Sequence, residues 1–281
     1  MRGPGWIPAD ALRAGGNDRV MNHRLSAIPG LPPLLACVGL LAVWELAART
    51  LHISGLPPAH EALRQLPVIL GDREALFHIF DSLRRMLIGF GLGVLFAIPV
   101  GLLMGRSRLV AAAFNPLLMT IYPVPKAALM PVIMLWLGIG DASKMLVIFL
   151  GVSLPVIYHA YQGARAVEEK MLWSAAAMGM SPLQRLARIV LPAALPEVFV
   201  GLRTGLVLAL ITMVTSEMIA RQAGVGNILF NSLDMALYDT VYATIVIIGA
   251  LGFVLDVAFE RLRAWLLAWA EPVHQIAVGT S

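Results

Sequence analysis

Long apolar runs separated by short polar turns dominate the chain. Uncharged stretches occupy 31–41 (continuing past Glu45), 86–105, 109–125 followed by 127–140, 145–164, 204–216 and 240–255. A helix needs about 20 apolar residues to cross the hydrocarbon of a bilayer, and the shorter runs reach that length only by including an ionisable residue. The pattern predicts about six membrane-spanning helices joined by short loops, an all-α polytopic membrane protein. The first thirty residues hold Arg2, Arg13, Arg19 and Arg24 alongside Asp10 and Asp18, with no apolar core before residue 31 and no cleavage site after it. They read as a disordered cytoplasmic tail ahead of an uncleaved first helix, not as a targeting signal. The expected organisation is a tail over 1–30, a first helix and outer interfacial segment over 31–81, a membrane core over 82–265 with a polar cytoplasmic loop at 165–195, and a C-terminal tail over 266–281.

One polar stretch in this apolar chain, 173–196, carries helix signals of its own. Ser181 is a good N-cap, Pro182 suits the first helical position, and Gln184 completes an S-x-x-Q capping box. Leu183, Leu186, Ala187 and Val190 then share one face, with Arg185 and Arg188 three apart beside it. Gly179 separates this helix from a preceding one over 168–178. Pro192 and Pro196 are expected to end it before the next apolar run. A helix–turn–helix too polar to span, yet tethered between two spans, has the form of a docking knob for a soluble partner. An amphipathic linker lying on the membrane would need no such spacing.

In the run 86–105 small residues recur at every fourth place: Gly89, Gly93, Ala97, Gly101 and Gly105. Lipid tails are as apolar as leucine, so helices in a bilayer are held by close backbone contact, which such a ridge permits. It predicts tight packing, either within the chain or against a second copy, and Pro99 in the same helix invites a kink. The segment 109–140 is crowded by Pro116, Pro123, Pro125 and Pro131, so unbroken helix is not expected from Tyr122 to Pro131. Non-helical backbone at membrane depth is tolerated only where it is buried in protein or lines a wet cavity. Lys126 in that stretch costs about 3 kcal/mol to insert unless paired or hydrated. Two readings stay open for it: attraction of an anion, or structural pairing. Glu217 poses the same choice between a gate and a structural partner. Asp256 is expected to pair with Arg261 or Arg263. The connection 57–85 reads as scaffold: Leu63, Leu66, Val68 and Leu70 suit a short interfacial helix, and a second helix over 73–85 leads into the next span.

Composition agrees with a membrane protein. Apolar residues make up 59% of the chain, charged residues 14%, and the mean hydropathy is +0.80. The net charge of +4 is spread over loops without a basic run or interleaved aromatics, which argues against nucleic acid. Cys37 is the single cysteine and excludes a disulfide framework. The histidines are scattered without ligand spacing, and no G-x4-G-K-[ST], G-x-S-x-G or H-E-x-x-H occurs, so neither a metal nor a cofactor is expected and the chain does not read as an enzyme. Arginine and lysine are more numerous in the loops that lie inside if the N-terminus is cytoplasmic, although Arg84 and Arg85 then fall outside. This bias predicts both termini inside and places 165–195 in the cytoplasm.

Gly179, Ile189 ten residues later and Leu191-Pro192 match the G-x9-I-x-L-P core of the EAA loop, and in this the chain resembles the membrane subunits of bacterial ATP-binding-cassette (ABC) importers. Ser82-Leu-x-Arg85 with Gly89-Phe90, the run PVIMLWLG from Pro131 to Gly138, Pro192-Ala-Ala-Leu-Pro196 and Gly201-Leu-Arg203 are similar to the nitrate/sulfonate/taurine permease branch. The similarity covers roughly 82–256. Where the family's loop often begins Glu-Ala-Ala, this chain has Trp173, Ser174 and Ala175, with Glu168 and Glu169 close by. The resemblance implies the type I ABC importer permease fold in the bacterial inner membrane, and a path for a small anionic solute such as a sulfonate, taurine or nitrate. As partners it implies two ABC ATPase subunits, a second permease copy in a homodimer, and a periplasmic or surface-anchored binding protein. The ATPases would grip Glu168, Glu169, Trp173, Ser174, Ala175, Gly179, Ser181, Arg185, Arg188, Leu191 and Pro192. Tyr122, Lys126 and Glu217 are the candidates for the path. The alternative is a secondary transporter driven by an ion gradient, which should show inverted repeats with paired broken helices; one broken segment is present and no second copy of it.

Overall fold

The computed structural model describes residues 31–270, and the expected N-terminal tail and the last part of the C-terminal tail lie outside the described residues. Among the described residues there are helices and turns but no strand. The chain divides after Arg64 into two compact units. The first is built on α1 (Leu31–Leu51), which leaves Leu34, Leu40, Val43 and Leu46 exposed, as befits a lipid-facing helix. The charge inside this run is paired: Glu45 accepts from Arg49 at 2.5 Å and lies 2.9 Å from Nδ1 of His60. The Trp44 indole donates to the Pro57 carbonyl at 3.0 Å and ties back the turn that leads to α2 (Ala59–Gly71).

The second unit continues with α3 (Arg73–Arg106), whose N-cap Asp72 accepts from the Glu74 amide, and α4 (Arg108–Ile121), capped by Ser107. A 3₁₀ turn (Lys126–Leu129) and α5 (Met130–Leu137) follow, then α6 (Asp141–Ala166) and α7 (Glu169–Ala177). One helical turn, α8 (Pro182–Arg185), passes through a π-helical turn (Leu186–Val190) into α9 (Leu191–Ala220). Helices α10 (Val225–Asp234) and α11 (Tyr238–Leu266) complete the unit. Among the described residues, five helices are long and apolar enough to span a membrane. The pair formed by α4 and the 126–137 segment makes a sixth, bent by 87° where the prolines interrupt it. The expected helix over 73–85 and the span after it form one continuous helix of 34 residues.

Helix α6 is the hub. Its Ile148, Val152, Val156 and Ile157 pack between Met86, Ala97 and Met104 of α3 and Leu206, Ala209 and Met213 of α9. The small-residue ridge of α3 faces α6. A Cβ on Gly89 would stand 2.8 Å from Ile148, one on Gly93 3.0 Å from Val152, and one on Gly101 2.6 Å from the Ile157 carbonyl. Gly105 comes as close to Ala164, and Ala97 is fully buried. The ridge therefore works inside the chain. Gly93→Leu and Gly101→Leu are each expected to cost about 1–3 kcal/mol or more through overpacking. Both should lower the melting temperature in detergent, whereas Leu95→Ala, on a side chain 73% exposed, should leave it nearly unchanged. Equal melting temperatures for all three would refute this packing.

Pro192 and Pro196 do not end the helix that Ser181 starts. It runs from Pro182 to Ala220 as a single span of 39 residues. The π-helical turn accounts for Pro192: the Leu191 amide reaches back five residues to the Leu186 carbonyl, and the wider turn absorbs a ring that would strike the carbonyl of a regular helix, while Pro196 lies within α9.

Candidate functional site

The 165–195 loop is a pair of short helices with both ends locally determined. Helix α7 closes in a Schellman motif, with Met180 N–H donating to the Ala175 carbonyl and Gly179 N–H to that of Ala176, both at 3.0 Å. Gly179 takes φ +84°, which the motif requires, and an added Cβ would meet no atom within 4 Å. Ser181 and Gln184 then make the reciprocal capping box, with Ser181 N–H donating to Gln184 Oε1 at 2.8 Å and Gln184 N–H donating to Ser181 Oγ at 3.3 Å.

The underside of the loop is anchored. Leu172, Ala175 and Val190 are buried, and Leu172 and Val190 join Leu102, Ala160, Ala164, Ala194 and Val198 in one apolar cluster. Its outer side presents Trp173, Met178 and Leu183, all more than 60% exposed, with Glu168, Glu169, Ser174 and Arg188 also exposed. Leu191 and Pro192 sit in the continuous helix just beyond the π turn. The result is a rigid, apolar-tipped projection fastened to α3, α6 and α9.

The interrupted segment lines a cavity of about 390 Å³, with Tyr122 to Ala127 on one side and Gly151, Leu154, Pro155, Leu208, Ile211, Thr212 and Thr215 on the other. Lys126 belongs to this lining, but its ammonium is engaged. It donates to the carbonyls of Ile121, Tyr122 and Val124 at 2.6, 3.2 and 2.6 Å, capping the free end of α4 at the bend. Glu217 is not among the residues that line this cavity. Lys126→Met is expected to lower both melting temperature, by a few degrees, and transport, because three carbonyls at the bend lose their donor. Lys126→Arg should restore only part, since a planar guanidinium cannot aim three N–H groups from one atom. Normal transport by the Met variant would remove this role.

Glu217 is instead the centre of a charge cluster that sequence reasoning left unassembled. Its carboxylate, 1% exposed, accepts from Arg85 Nη1 at 2.7 Å, from Ser82 Oγ at 2.8 Å and from the Gly226 amide at 3.1 Å. Arg85 is 2% exposed, not in a loop as the charge count supposed, and also reaches Asp81, Asp141 (2.6 Å from Nε) and the Ala223 carbonyl. Arg84 adds a bond to Asp141, and buried Lys144 donates to the Ala223 carbonyl at 3.0 Å. Ser82 Oγ accepts from Val225 N–H at 2.9 Å. Gly224, at φ +122°, lies so close to the carboxylate that no Cβ would fit. The cluster ties α3, α6 and α9 to the turn before α10. The run 86–105 is uncharged and roughly 30 Å long at about 1.5 Å per residue, matching the hydrocarbon thickness. Arg85 and Arg106 therefore bracket the bilayer, with the charge cluster at one face and the 165–195 loop at the other.

Asp256 pairs with neither Arg261 nor Arg263. It makes a two-pronged bond with Arg203 of α9, 2.8 Å at both oxygens, and Arg203 also reaches Glu260 at 3.1 Å. Position i+5 on a helix points away from i, and Arg263 is held by Glu260 at i+3.

Residues 93–267 match the model of the binding-protein-dependent transport system inner membrane component. Among similar proteins, the taurine transport system permease protein TauC of Escherichia coli is 35% identical over 82% of this chain and 86% of its own length. The putative aliphatic sulfonates transport permease protein SsuC of Bacillus subtilis is 28% identical over 84% and 86%. The nitrate import permease protein NrtB of Synechocystis is 27% identical over 86% and 90%. With more than half of its residues inside the family model, a bent sixth span and a capped loop between two spans, the chain belongs to the binding-protein-dependent transport system inner membrane components and is a multi-pass permease subunit of an ABC transporter.

Proposed function

We propose that two copies of this chain form the path of an ATP-driven importer for a small anionic solute, a sulfonate, taurine or nitrate, in the bacterial inner membrane. The observation that carries this reading is the 165–195 loop, a doubly capped, buried-footed projection at the opposite membrane face from the charge cluster. Two ATPase subunits grip its exposed side at Trp173, Gly179, Ser181 and Arg188, with both chain termini on the same, cytoplasmic side. Their closure moves the loop and the helices fused to it as one body, favouring one of two packings of the path. Through α9 the loop is continuous with the wall of the 390 Å³ cavity at Leu208 to Thr215. The permeases for taurine, aliphatic sulfonates and nitrate that the chain is similar to support the solute class, and a binding protein delivers that solute at the outer mouth.

A second copy is supported by charge at membrane depth. Arg203 is 49% exposed and Asp256 34% exposed in the single chain, yet both lie within spanning helices. Charges at that depth face protein or water in preference to lipid. Co-purification with ATPase subunits expressed alongside tests the docking face. Wild type should retain them in a pull-down, and Arg188→Glu should retain several-fold less, with an unchanged melting temperature. Undiminished retention by Arg188→Glu would take the contact elsewhere.

A further inference from the structure

A second cavity, of about 500 Å³, opens between the end of α3 and the 165–195 loop, and the exposed Trp173 and Leu183 stand at its rim. Its walls include Leu103, Arg106, Ser107, Glu169, Trp173 and Arg185. Two features point to an anionic ligand. Arg185 has no ion pair among the described residues, and its Nε is enclosed without a hydrogen-bond partner, which is costly for a guanidinium. Arg106 likewise has no ion pair there, and its only bond is a long one, 3.5 Å, to the Ala164 carbonyl. The walls also span two environments. Leu103, 46% exposed, lies in the uncharged run at bilayer depth, while Arg106 one turn later marks the headgroup level.

We propose that this cavity holds the phosphodiester of a membrane glycerophospholipid between Arg106 and Arg185, with its acyl end along Leu103. Two guanidiniums and the Glu169 carboxylate leave one net positive charge, which matches a singly charged phosphodiester better than a phosphate monoester carrying nearly two negative charges. The lipid wedges the foot of the loop against α3, so the stiffness of the coupling lever depends on it. This goes beyond the docking of ATPases on the loop, with which the site shares Trp173, and it is read by lipid retention, which does not require transport.

The test is native mass spectrometry of the delipidated full-length protein titrated with short-chain phosphatidylglycerol. Wild type should bind one lipid per chain that survives activation. Arg106→Gln with Arg185→Gln should weaken that binding at least tenfold, Arg185→Lys should keep most of it, and Arg108→Gln, an exposed neighbour outside the cavity, should keep all of it. Equal retention by wild type and the double variant would overturn the proposal. So would displacement of the lipid by equimolar glycerol 3-phosphate, which would indicate a site for soluble phosphate. A third contrary result is loss of ATPase retention in the double variant with lipid binding intact, which would make the cavity part of the protein interface.

Discussion

Arg85→Ala is expected to destabilise the folded chain by about 3–5 kcal/mol, the usual cost of leaving a buried charge without its partner. The guanidinium is the one group that touches Asp81, Asp141, Glu217 and the Ala223 carbonyl together. Without it Glu217, 1% exposed in the intact chain, is held only by Ser82 and the Gly226 amide. Glu217→Ala should be comparably damaging, since it strips Arg85 of its buried partner and leaves the Gly226 amide unmet. The double change Arg85→Leu with Glu217→Leu should recover part of the loss, because replacing a whole buried pair by apolar groups is far less costly than breaking it. The measurement is thermal unfolding in detergent for both singles and the double. Strictly additive losses would mean the two residues do not act as a pair.

Gly179→Val is expected to abolish coupling while sparing assembly. A Cβ at this position would touch nothing, so the defect is conformational: φ +84° is an outlier for a β-branched residue. The Schellman turn would reopen, and the loop would no longer hold the angle between α7 and the helix begun at Ser181. Uptake should fall at least tenfold, with membrane insertion and melting temperature near wild type. Gly179→Asn should fall least and Gly179→Ala should lie between, following their tolerance of the left-handed region. Wild-type uptake by Gly179→Val would show that the loop does not act as a rigid lever.

What could be read from the chain before its structure was known depended on how local the signal was. The spans, the ridge from Gly89 to Gly105 and the break near Lys126 are written in runs of a few residues, as are the caps at Ser181 and Gly179. The ridge, the break and the caps appear in the structure where the pattern placed them, and the spans do too, although two of them run on into helices expected to be separate. The charge cluster was invisible as a whole, because Ser82, Arg85, Asp141, Lys144, Glu217, Gly224 and Val225 come from three helices and the turn into a fourth, up to 143 residues apart. One signal was present: a carboxylate and an arginine beside apolar runs need partners at the same depth. Arg85 was counted instead as a loop charge. Pro192 misled for a different reason, since the π-helical turn that precedes it has no sequence signature of its own, and Pro196 sits within α9. Asp256 had a partner on another helix at its own depth, whereas Arg261 falls on another face and Arg263 is held by Glu260.

The most direct test of the importer reading is uptake by proteoliposomes containing this chain, its ATPase subunits and its binding protein, supplied with labelled taurine, an alkanesulfonate or nitrate. Uptake of one of these solutes should require ATP and the binding protein together, persist when ion gradients are collapsed by ionophores, and vanish with Gly179→Val. Uptake that proceeds without the ATPase subunits and stops when an ion gradient is collapsed would contradict it and return the chain to the secondary transporters.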